Sequence, residues 1–479
     1  MLWFFISLLA VIALFVALLF AISAIKSKKA PKLSASVLHH SQDEVMRYAT
    51  RLQKMIQCQT ISVKGEYDDT EFKKLRDVIR ELFPNVHKKA EIRIFSDDCW
   101  IYKIEGVDKS RNIMLMSHHD VVAAEGEWEH GGFSAYIADG KIWGRGTVDT
   151  KTPLFAEFSA LEELLSDGFV PPCNIYIGSS HNEELGGDGI PKAYEFFKEN
   201  GITFEVILDE GGAIIVPPMA GMKSDRCAMV AVHEKGRYKL LFTATAENAH
   251  ASLTGAVKKA PVERMTEFMN EINTKNIFIR RLNPQITAMF THMAPYCITP
   301  MKLIFNNLWV FGGLLKKLLP KINAQAGGLI GTTCTFTKIN GSNESKLCTA
   351  EASLRAVDEK DMMEDIETLK EAAAKYGIEV EVSPDSEYHG PADMKKPQFA
   401  YTMKCIHEVF PQYPASPFIL PAGTDARTLT DLCPCVLRFA PIRLSAQQLA
   451  SVHAENENID LDSIADAVVF YKHFIREYR

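Results

Sequence analysis

The chain has 479 residues, of which 47% are hydrophobic and 24% charged, and its formal net charge is −7 at pH 7. This length is more than one hydrophobic core usually serves, so we expect two or three domains. The apolar content argues against a disordered chain, and the lack of a basic stripe argues against a nucleic-acid-binding protein.

The first 25 residues carry no charged side chain and are long enough to cross a hydrocarbon layer of about 30 Å as a helix. Lys26, Lys28 and Lys29 follow them, and the positive-inside rule predicts that these lysines stay in the cytoplasm. A cleavable signal peptide is the alternative, but no basic segment precedes the apolar run and the candidate cleavage site near residues 21–23 is weak. We therefore predict a membrane anchor at residues 1–25 and a tether at 26–40.

The chain has 10 cysteines, which are scattered without the close spacing of a small disulfide framework. Reduced, buried thiols are the usual interpretation of such a scatter in a large chain. Together with the lysines after the anchor, the cysteines favour a catalytic body in the cytoplasm; a protein secreted through a signal peptide is the alternative.

Strand-like and helical segments alternate between residues 91 and 208, which predicts an α/β layer fold with a mostly parallel central sheet. From about residue 230 the pattern changes to longer strand-like runs. We therefore predict a first part of a catalytic domain at 41–230, an inserted α+β domain at 231–357, and a second part of the catalytic domain at 358–479. The apolar run Met301–Leu319 is open to three interpretations: a buried helix pair, an acyl-chain channel, or a surface against a membrane.

Acidic and histidine side chains follow several predicted strands, and in such sheets ligands gather beyond the carboxyl ends of strands. One such motif alone is usually a solvated polar group, but the chain has five in order: His118-x-Asp120, Gly144-Arg145-Gly146-x-x-Asp149-x-Lys151, Glu183-Glu184, Asp209-Glu210-Gly211, and His453. Carboxylates and imidazoles suit zinc, manganese or cobalt, and a bridging carboxylate commonly holds two ions about 3.5–4 Å apart. The sequence therefore predicts a metal site at the edge of the sheet.

These ordered motifs resemble the co-catalytic zinc hydrolases that include aminoacylase, carboxypeptidase S and succinyl-diaminopimelate desuccinylase. The runs Asn307-Leu308-Trp309 and Leu437-Arg438-Phe439-Ala440-Pro441 are most similar to the branch of carboxypeptidase S and the N-fatty-acyl-amino-acid hydrolases. The resemblance spans residues 41–479. It implies an α/β zinc-hydrolase domain interrupted by a ferredoxin-like lid, through which the chain could form a homodimer.

The resemblance also implies two zinc ions per chain, with cobalt or manganese as alternatives. The ligands implied come from all five motifs: His118, Asp149 and Glu210 for one ion, and Asp149, Glu184 and His453 for the other. Either Asp209 or Glu210 could be the ligand of its motif, and Glu210 is favoured because the following glycine then aligns.

Three catalytic roles follow from the same resemblance. Asp120 would orient His118, Glu183 would be the general base, and His250 would reach a substrate oxygen. The substrate-binding residues implied are Arg355, Asn343, Gly423 and Thr424. The run after Asn343 departs from the family pattern, since Glu344-Ser345-Lys346 stands in place of Val-Ile-Pro.

The function predicted is that of a membrane-tethered amidohydrolase with two zinc ions, acting on N-acyl amino acids or small peptides that have a free carboxylate. A carboxypeptidase or dipeptidase that prefers peptides is the first alternative. An inactive metal-binding scaffold at the membrane is the second, although Glu183 and every candidate ligand are present.

Overall fold

The computed structural model describes residues 1–219, 221–246, 259–275, 277–322, 324–342, 344–384 and 386–479. The chain divides into unit 1, which comprises Met1–Val232, Ala288–Asn306 and Pro391–Arg479, and unit 2, which comprises His233–Thr287 and Asn307–Gly390. His250 and Asn343, which were predicted to act in the site, lie outside the described residues.

The α-helices in chain order are α1 Leu2–Lys28, α2 Gln42–Ile56, α3 Asp69–Leu82, α4 Pro84–Lys89, α5 Lys151–Ser166, α6 Gly189–Glu199, α7 Pro261–Thr274, α8 Pro284–Met293, α9 Thr299–Asn306, α10 Leu308–Ile322, α11 Ala324–Leu329, α12 Glu359–Ala374, α13 Pro397–Val409, α14 Ala446–Ala450 and α15 Leu461–Glu477. The strands are β1 Glu91–Phe95, β2 Cys99–Ile104, β3 Asp108–Met116, β4 Tyr136–Ala138, β5 Lys141–Trp143, β6 Cys173–Ser179, β7 Val206–Asp209, β8 Ile214–Ile215, β9 Cys227–Glu234, β10 Gly236–Thr245, β11 Thr333–Asn340, β12 Leu347–Ala356, β13 Ile378–Val382, β14 Ala415–Leu420, β15 Val436–Arg438 and β16 Asn458–Asp460.

A nine-stranded sheet forms the centre of unit 1, in the order β1-β2-β6-β3-β7-β15-β9-β14, with β8 paired to β9. The four central strands β6, β3, β7 and β15 are parallel, whereas β1 and β2 on one side and β9 on the other run antiparallel to their neighbours. The prediction of a mostly parallel sheet therefore holds only for its centre, and the sheet is mixed. At the edge formed by β1 and β2, the antiparallel pairing follows from the short turn that joins these two strands, because strands joined by a tight turn can pair only in antiparallel fashion.

The central strands carry buried apolar runs, such as residues 113–116 of β3 and 206–208 of β7, as expected when helices cover both faces of a sheet. Every residue of β6 is buried, and α5 is buried at 14 of its 16 residues. Helix α2 follows Ser41, whose hydroxyl caps it by accepting a hydrogen bond from the Glu44 amide at 3.2 Å. These helices and strands hold the carboxyl ends of β3, β6 and β7 in place.

Unit 2 contains a four-stranded antiparallel sheet in the order β11-β12-β10-β13. With α7 after β10 and α12 after β12, the chain follows the β-α-β-β-α-β order of ferredoxin-like folds. One face of β12 is buried at alternate residues in a core that α7 and α12 also supply. The predicted end of the inserted domain at residue 357 is too early, because β13 pairs with β10 and unit 2 continues to Gly390.

The predicted anchor is a single helix, α1, whose most apolar 18-residue window has a mean hydropathy of 3.1 and is 6% buried. It is long and apolar enough to cross a membrane, a property that a signal sequence near the N-terminus shares. The helix continues to Lys28, beyond the predicted boundary. The apolar run at 301–319 forms two helices, α9 in unit 1 and α10 in unit 2, rather than one continuous element.

Candidate metal centre

Three adjacent parallel strands deliver the first candidate ligands to one edge of the sheet. β3 ends at Met116 and leads into His118, β6 ends at Ser179 and leads into Glu183 and Glu184, and β7 leads into Glu210. The strands are paired in register, β3 between β6 and β7. Their carboxyl ends therefore meet where ligands bind in open α/β sheets.

The loop before α5 delivers Asp149. Gly146 has a φ of 87°, and a Cβ built there would lie 2.9 Å from a methyl carbon of Val121, so glycine satisfies both a backbone and a space requirement. Lys151 is fully buried, and its ammonium donates to the carbonyl oxygen of Cys58 at 2.6 Å and to that of Met55 at 3.3 Å. The lysine of the motif therefore fixes the loop to the end of α2.

The predicted ligands form two groups of side chains that are each close enough to hold an ion. In one group, ligand atoms of His118, Asp149 and Glu210 all lie within 4.8 Å of one another, and in the other, those of Asp149, Glu184 and His453 do so. The structure thus brings together all five predicted ligands, with Asp149 common to both groups.

The Asp149 carboxylate has the geometry of a bridge. Its Oδ1 lies 2.9 Å from Nε2 of His118, and its Oδ2 lies 3.1 Å from Nε2 of His453. The same His453 nitrogen lies 3.0 Å from Glu184 Oε2. Because each oxygen of Asp149 faces a different histidine, the two ions would share this carboxylate.

The electrostatics of the cluster fit two divalent cations. Burial, with repulsion from Asp425, Asp120 and Asp149, raises the pKa of Glu183 to about 9. Burial and the charge of Asp149 also raise the pKa of Glu210. Buried carboxylates in this number are unfavourable unless cations compensate them, and sets of two carboxylates with one imidazole suit zinc, cobalt or manganese.

Asp120 contacts residues at both groups of candidate ligands. Its backbone oxygen lies 3.0 Å from Nδ1 of His118 and its Oδ1 lies 3.3 Å from the same nitrogen. Its two carboxylate oxygens also accept hydrogen bonds from the amides of Glu183 and Glu184, each at 3.2 Å. A contact that orients the ring of a ligand histidine in this way is common at metal sites.

Glu183 and the residues around it line a small enclosed space beside the first group. Glu210, Asp209, Ser180 and Asp425 line the same space, and the hydroxyl of Ser180 donates to Asp425. Burial raises the pKa of Asp425 to about 7. Sequence reasoning had assigned the loop at 423–427 to substrate binding but had given Asp425 no role of its own.

Of the two candidates Asp209 and Glu210, Glu210 is the one whose carboxylate lies in the group with His118 and Asp149, and its role as a ligand stays a prediction. Asp209 is buried and its Oδ2 accepts a hydrogen bond from the amide of Ala426 at 3.1 Å. Thr424 is also buried, and its hydroxyl accepts from Nε of Arg438 at 3.4 Å. The side chains of Asp209 and Thr424 therefore stabilise the 423–427 loop, and substrate contacts of Gly423 and Thr424 stay a prediction.

Arg355 lies in unit 2, on β12 opposite Arg237 of β10. Residues alternate between the two faces of β12, and Arg355 lies on the face opposite to that of its buried neighbours Leu354 and Ala356. Its role in binding a substrate carboxylate stays a prediction.

Glu457 is the second residue that sequence reasoning missed. It is fully buried, and its carboxylate accepts from the amides of Val148 at 2.7 Å and Asp149 at 3.2 Å and from Arg145 at 2.6 Å. Glu457 therefore holds the Asp149 loop against the segment that carries His453. The arginine of the Gly-Arg-Gly motif was the available indication, since a buried arginine requires an acidic partner.

A cavity of about 740 Å³ is lined by the 61–68 loop and by residues that include His181, Asn182 and Leu185. These three residues are close in sequence to Glu183 and Glu184, but no candidate ligand among the described residues lines the cavity. Phe72 adds an apolar surface to the same cavity. A space of this size is typical of sites for small organic ligands.

The sequence of the chain matches a known protein family and several of its relatives. Residues 114–477 match the model of peptidase family M20/M25/M40. The chain is 30% identical over 448 residues to the probable carboxypeptidase S-like 2 of Dictyostelium discoideum, covering 89% of this chain and 84% of the relative. It is 28% identical over 442 residues to the N-fatty-acyl-amino acid synthase/hydrolase PM20D1 of Xenopus tropicalis, with the same coverage of 89% and 84%.

Solved structures share the fold. The M20 family metallo-carboxypeptidase Sso-CP2 of Sulfolobus solfataricus superposes with a TM-score of 0.62 at 18% identity, over 90% of this chain and 98% of that structure. Human carnosine dipeptidase 1 superposes with a TM-score of 0.60 at 13% identity, over 96% and 98%. The predicted resemblance to the carboxypeptidase S and N-fatty-acyl-amino-acid hydrolase branch is confirmed. The chain belongs to peptidase family M20/M25/M40 and is a metal-dependent hydrolase.

Proposed function

We propose that the protein is an amidohydrolase with two zinc ions that cleaves the amide bond of N-acyl amino acids or small peptides with a free carboxylate. The observation that carries the proposal is the position of Asp149, shared between the groups of His118 with Glu210 and Glu184 with His453. The similarity to an N-fatty-acyl-amino acid synthase/hydrolase supports an acyl amino acid as the substrate.

The proposed reaction adds water across the amide, so that the C–N bond breaks and a carboxylate and an amine are released. Two bound ions would supply a water of lowered pKa and a polarised carbonyl. Glu183 is the group placed to take the proton from that water and to return it to the leaving amine. This exchange requires the Glu183 carboxylate to be ionised when water binds, and two cations beside it would favour the ionised form against the effect of burial, which raises its pKa.

The chain's own residues would also hold Glu183 in place. Its amide donates to Asp120, which contacts His118, so the general base and the first group share one support. The 740 Å³ cavity beside Asn182 and Leu185 is a candidate space for the acyl group or the side chain of the substrate.

The test is the hydrolysis of a panel of N-acyl amino acids by the full chain and by Glu183→Gln. We expect the variant to lose about 10²–10⁴-fold in kcat, as removal of a general acid–base group does, while it retains two metal ions per chain. Glu195→Gln, an exposed glutamate on α6, is the matched control and should retain wild-type turnover. Normal turnover by Glu183→Gln would refute the mechanism.

A peptidase is the second candidate, because the relative from Dictyostelium discoideum carries the name of a probable carboxypeptidase. Dipeptides and N-acyl amino acids that share one C-terminal residue would distinguish the two activities. A higher kcat/KM for the dipeptide would favour the peptidase. Blocking the substrate carboxylate as an amide should lower kcat/KM in either case, if an arginine such as Arg355 binds it.

A further inference from the structure

The last turns of α1 pack against α9 through polar groups. Asn306 is fully buried, and its side-chain amide donates to the hydroxyl of Ser23 at 3.1 Å and to that of Ser27 at 3.2 Å. The ammonium of Lys26 donates to the backbone oxygen of Asn306 at 2.7 Å. Leu19, Ser23 and Ser27 follow one another at intervals of four residues, so they form one face of the helix.

This contact is not expected of a signal peptide. A leader needs an apolar segment and a cleavage site, and it leaves before the mature protein is complete. Cleavage near residues 21–23 would remove Leu19 and could remove the Ser23 acceptor, and it would leave Ser27 as the remaining side-chain acceptor of the Asn306 amide. Buried side-chain amides without acceptors are rare in folded proteins because they lose their bonds to water without replacement.

The exposure of α1 divides it into two parts. Residues 2–18 are all exposed, whereas Leu19 and Ser23 are buried at 5% and 4% exposure. Seventeen helical residues rise about 26 Å, which is close to the hydrocarbon thickness of a bilayer. The lipid-facing part of α1 would therefore end where its contact with α9 begins.

The segment after α1 is fixed to unit 1 at three points. The hydroxyl of Tyr296 donates to the carbonyl oxygen of Pro31 at 2.9 Å, and the amide of Ser34 donates to that of Pro411 at 3.0 Å. His40 Nε2 lies 2.8 Å from a carboxylate oxygen of Asp466. Residues 31–40 therefore do not form the free tether that their composition predicts.

We propose that α1 is retained in the mature protein and seats unit 1 directly on a bilayer, with the α1–α9 contact at the level of the lipid headgroups. Lys26, Lys28, Lys29 and Lys32 lie at this level and would attract anionic headgroups. Ile298, directly before α9, is 47% exposed and would reach the interface. A catalytic domain on a flexible tether would have neither the buried Asn306 contact nor the hydrogen bonds that fix residues 31–40 to unit 1.

The first measurement uses the unmodified full chain, expressed in a host with membranes and purified in detergent. We expect an intact mass that includes α1, and resistance of the membrane-bound protein to carbonate extraction at high pH. A mass that begins after residues 21–23 would overturn the proposal.

The second measurement is the depth of two matched sites in nanodiscs of phosphatidylcholine and phosphatidylserine. Ile298→Trp reports on the proposed interface. Helix α8, which ends shortly before Ile298, contacts β14 through the hydrogen bond from the Ser416 hydroxyl to the carbonyl oxygen of Met289. Ile94→Trp, at 54% exposure, reports on β1, at the other end of the strand order from β14. Seven strand spacings separate β1 from β14, which is roughly 30 Å. Brominated lipids should quench the added fluorescence of Ile298→Trp at least about twofold more than that of Ile94→Trp, and equal quenching would refute the seating.

The third measurement tests the polar contact itself. Asn306→Ala should increase the rate of proteolysis within residues 29–40 by roughly tenfold, because the buried amide bonds to Ser23 and Ser27 are lost. Asn273→Ala, on the exposed face of α7, is the matched control and should leave the rate unchanged. If the wild type and Asn306→Ala were both cleaved rapidly and at the same rate, residues 29–40 would be a free tether and the proposal would be wrong.

Discussion

The metal centre and the contact of the N-terminal segment are two of the places where unit 1 buries polar side chains, and they differ in charge balance. At the metal centre, acidic side chains outnumber the two histidines, and burial raises the pKa of Glu183 and Glu210. At the N-terminal contact, neutral polar groups predominate: the Asn306 amide nitrogen donates to two serine hydroxyls, whereas its Oδ1 is buried without a hydrogen-bond partner among the described residues.

The difference separates a ligand site from a structural contact. Buried charge of one sign is unfavourable unless protons or cations neutralise it, so the metal centre indicates the kind of ion that it would bind. Matched buried polar groups satisfy one another and indicate only that two elements stay together. Changes at the first place should alter metal content and activity, and changes at the second should alter stability alone.

The largest effect is expected at the shared ligand. Asp149→Ala removes a ligand from both groups, so metal content should fall from two ions per chain towards none, and activity should fall by roughly 10³-fold or more. Elemental analysis and hydrolysis rates measure the two quantities. Asp43→Ala, an exposed aspartate on α2, is the control, and two retained ions in Asp149→Ala would contradict the bridging role.

A smaller effect is expected at the residue that holds the Asp149 loop. Glu457→Gln keeps the shape of the side chain but removes the charge that pairs with Arg145, so metal affinity should fall by about 10–100-fold. Competition with a chelator measures the affinity. Glu455→Gln changes an exposed glutamate two residues away, and equal affinities for the two variants would show that Glu457 has no role at the centre.

The smallest effect is expected at the N-terminal contact and depends on pH. The hydrogen bond to Asp466, which outweighs burial, raises the pKa of His40 above its ordinary 6.5. The folded state therefore binds the proton more tightly than the unfolded state, so this contribution is fully present below pH 6.5 and is lost as pH rises through the raised pKa.

Thermal unfolding of His40→Asn and of the wild type measures this contribution. The variant should be less stable than the wild type by about 1 kcal/mol at pH 6 and by less at pH 9, with metal content unchanged. His39→Asn changes the exposed neighbour and should match the wild type at both pH values. A stability difference that increases with pH would contradict the assigned ion pair.

Much of the metal centre could be predicted because its ligands lie at the ends of strands and in a glycine-bearing turn. Both features leave local patterns in the chain, such as the apolar run before His118 and the Gly-Arg-Gly before Asp149. Asp425 and Glu457 were missed because each acts through partners more than 240 residues away along the chain, Ser180 for one and Arg145 for the other.

The architecture of the sheet and of the inserted domain could also be predicted only in part from the sequence. Hydrophobic runs predicted the central parallel strands, but an isolated run does not state the direction in which its neighbour pairs, so the antiparallel edges were missed. The end of the inserted domain was placed too early because α12 and β13, which follow residue 357, join unit 2 through packing in its core and through the pairing of β13 with β10.

The sequence by itself determined the kind of chemistry, because residue types and their spacing decide which ions and protons the side chains can bind. It also determined that α1 is apolar enough to cross a bilayer. Only the tertiary structure decided which residues meet: Asp149 between two histidines, Glu457 behind the Asp149 loop, and Asn306 against α1. The physical reason is that these contacts are made by side chains distant in sequence, whose positions depend on how the whole of unit 1 packs.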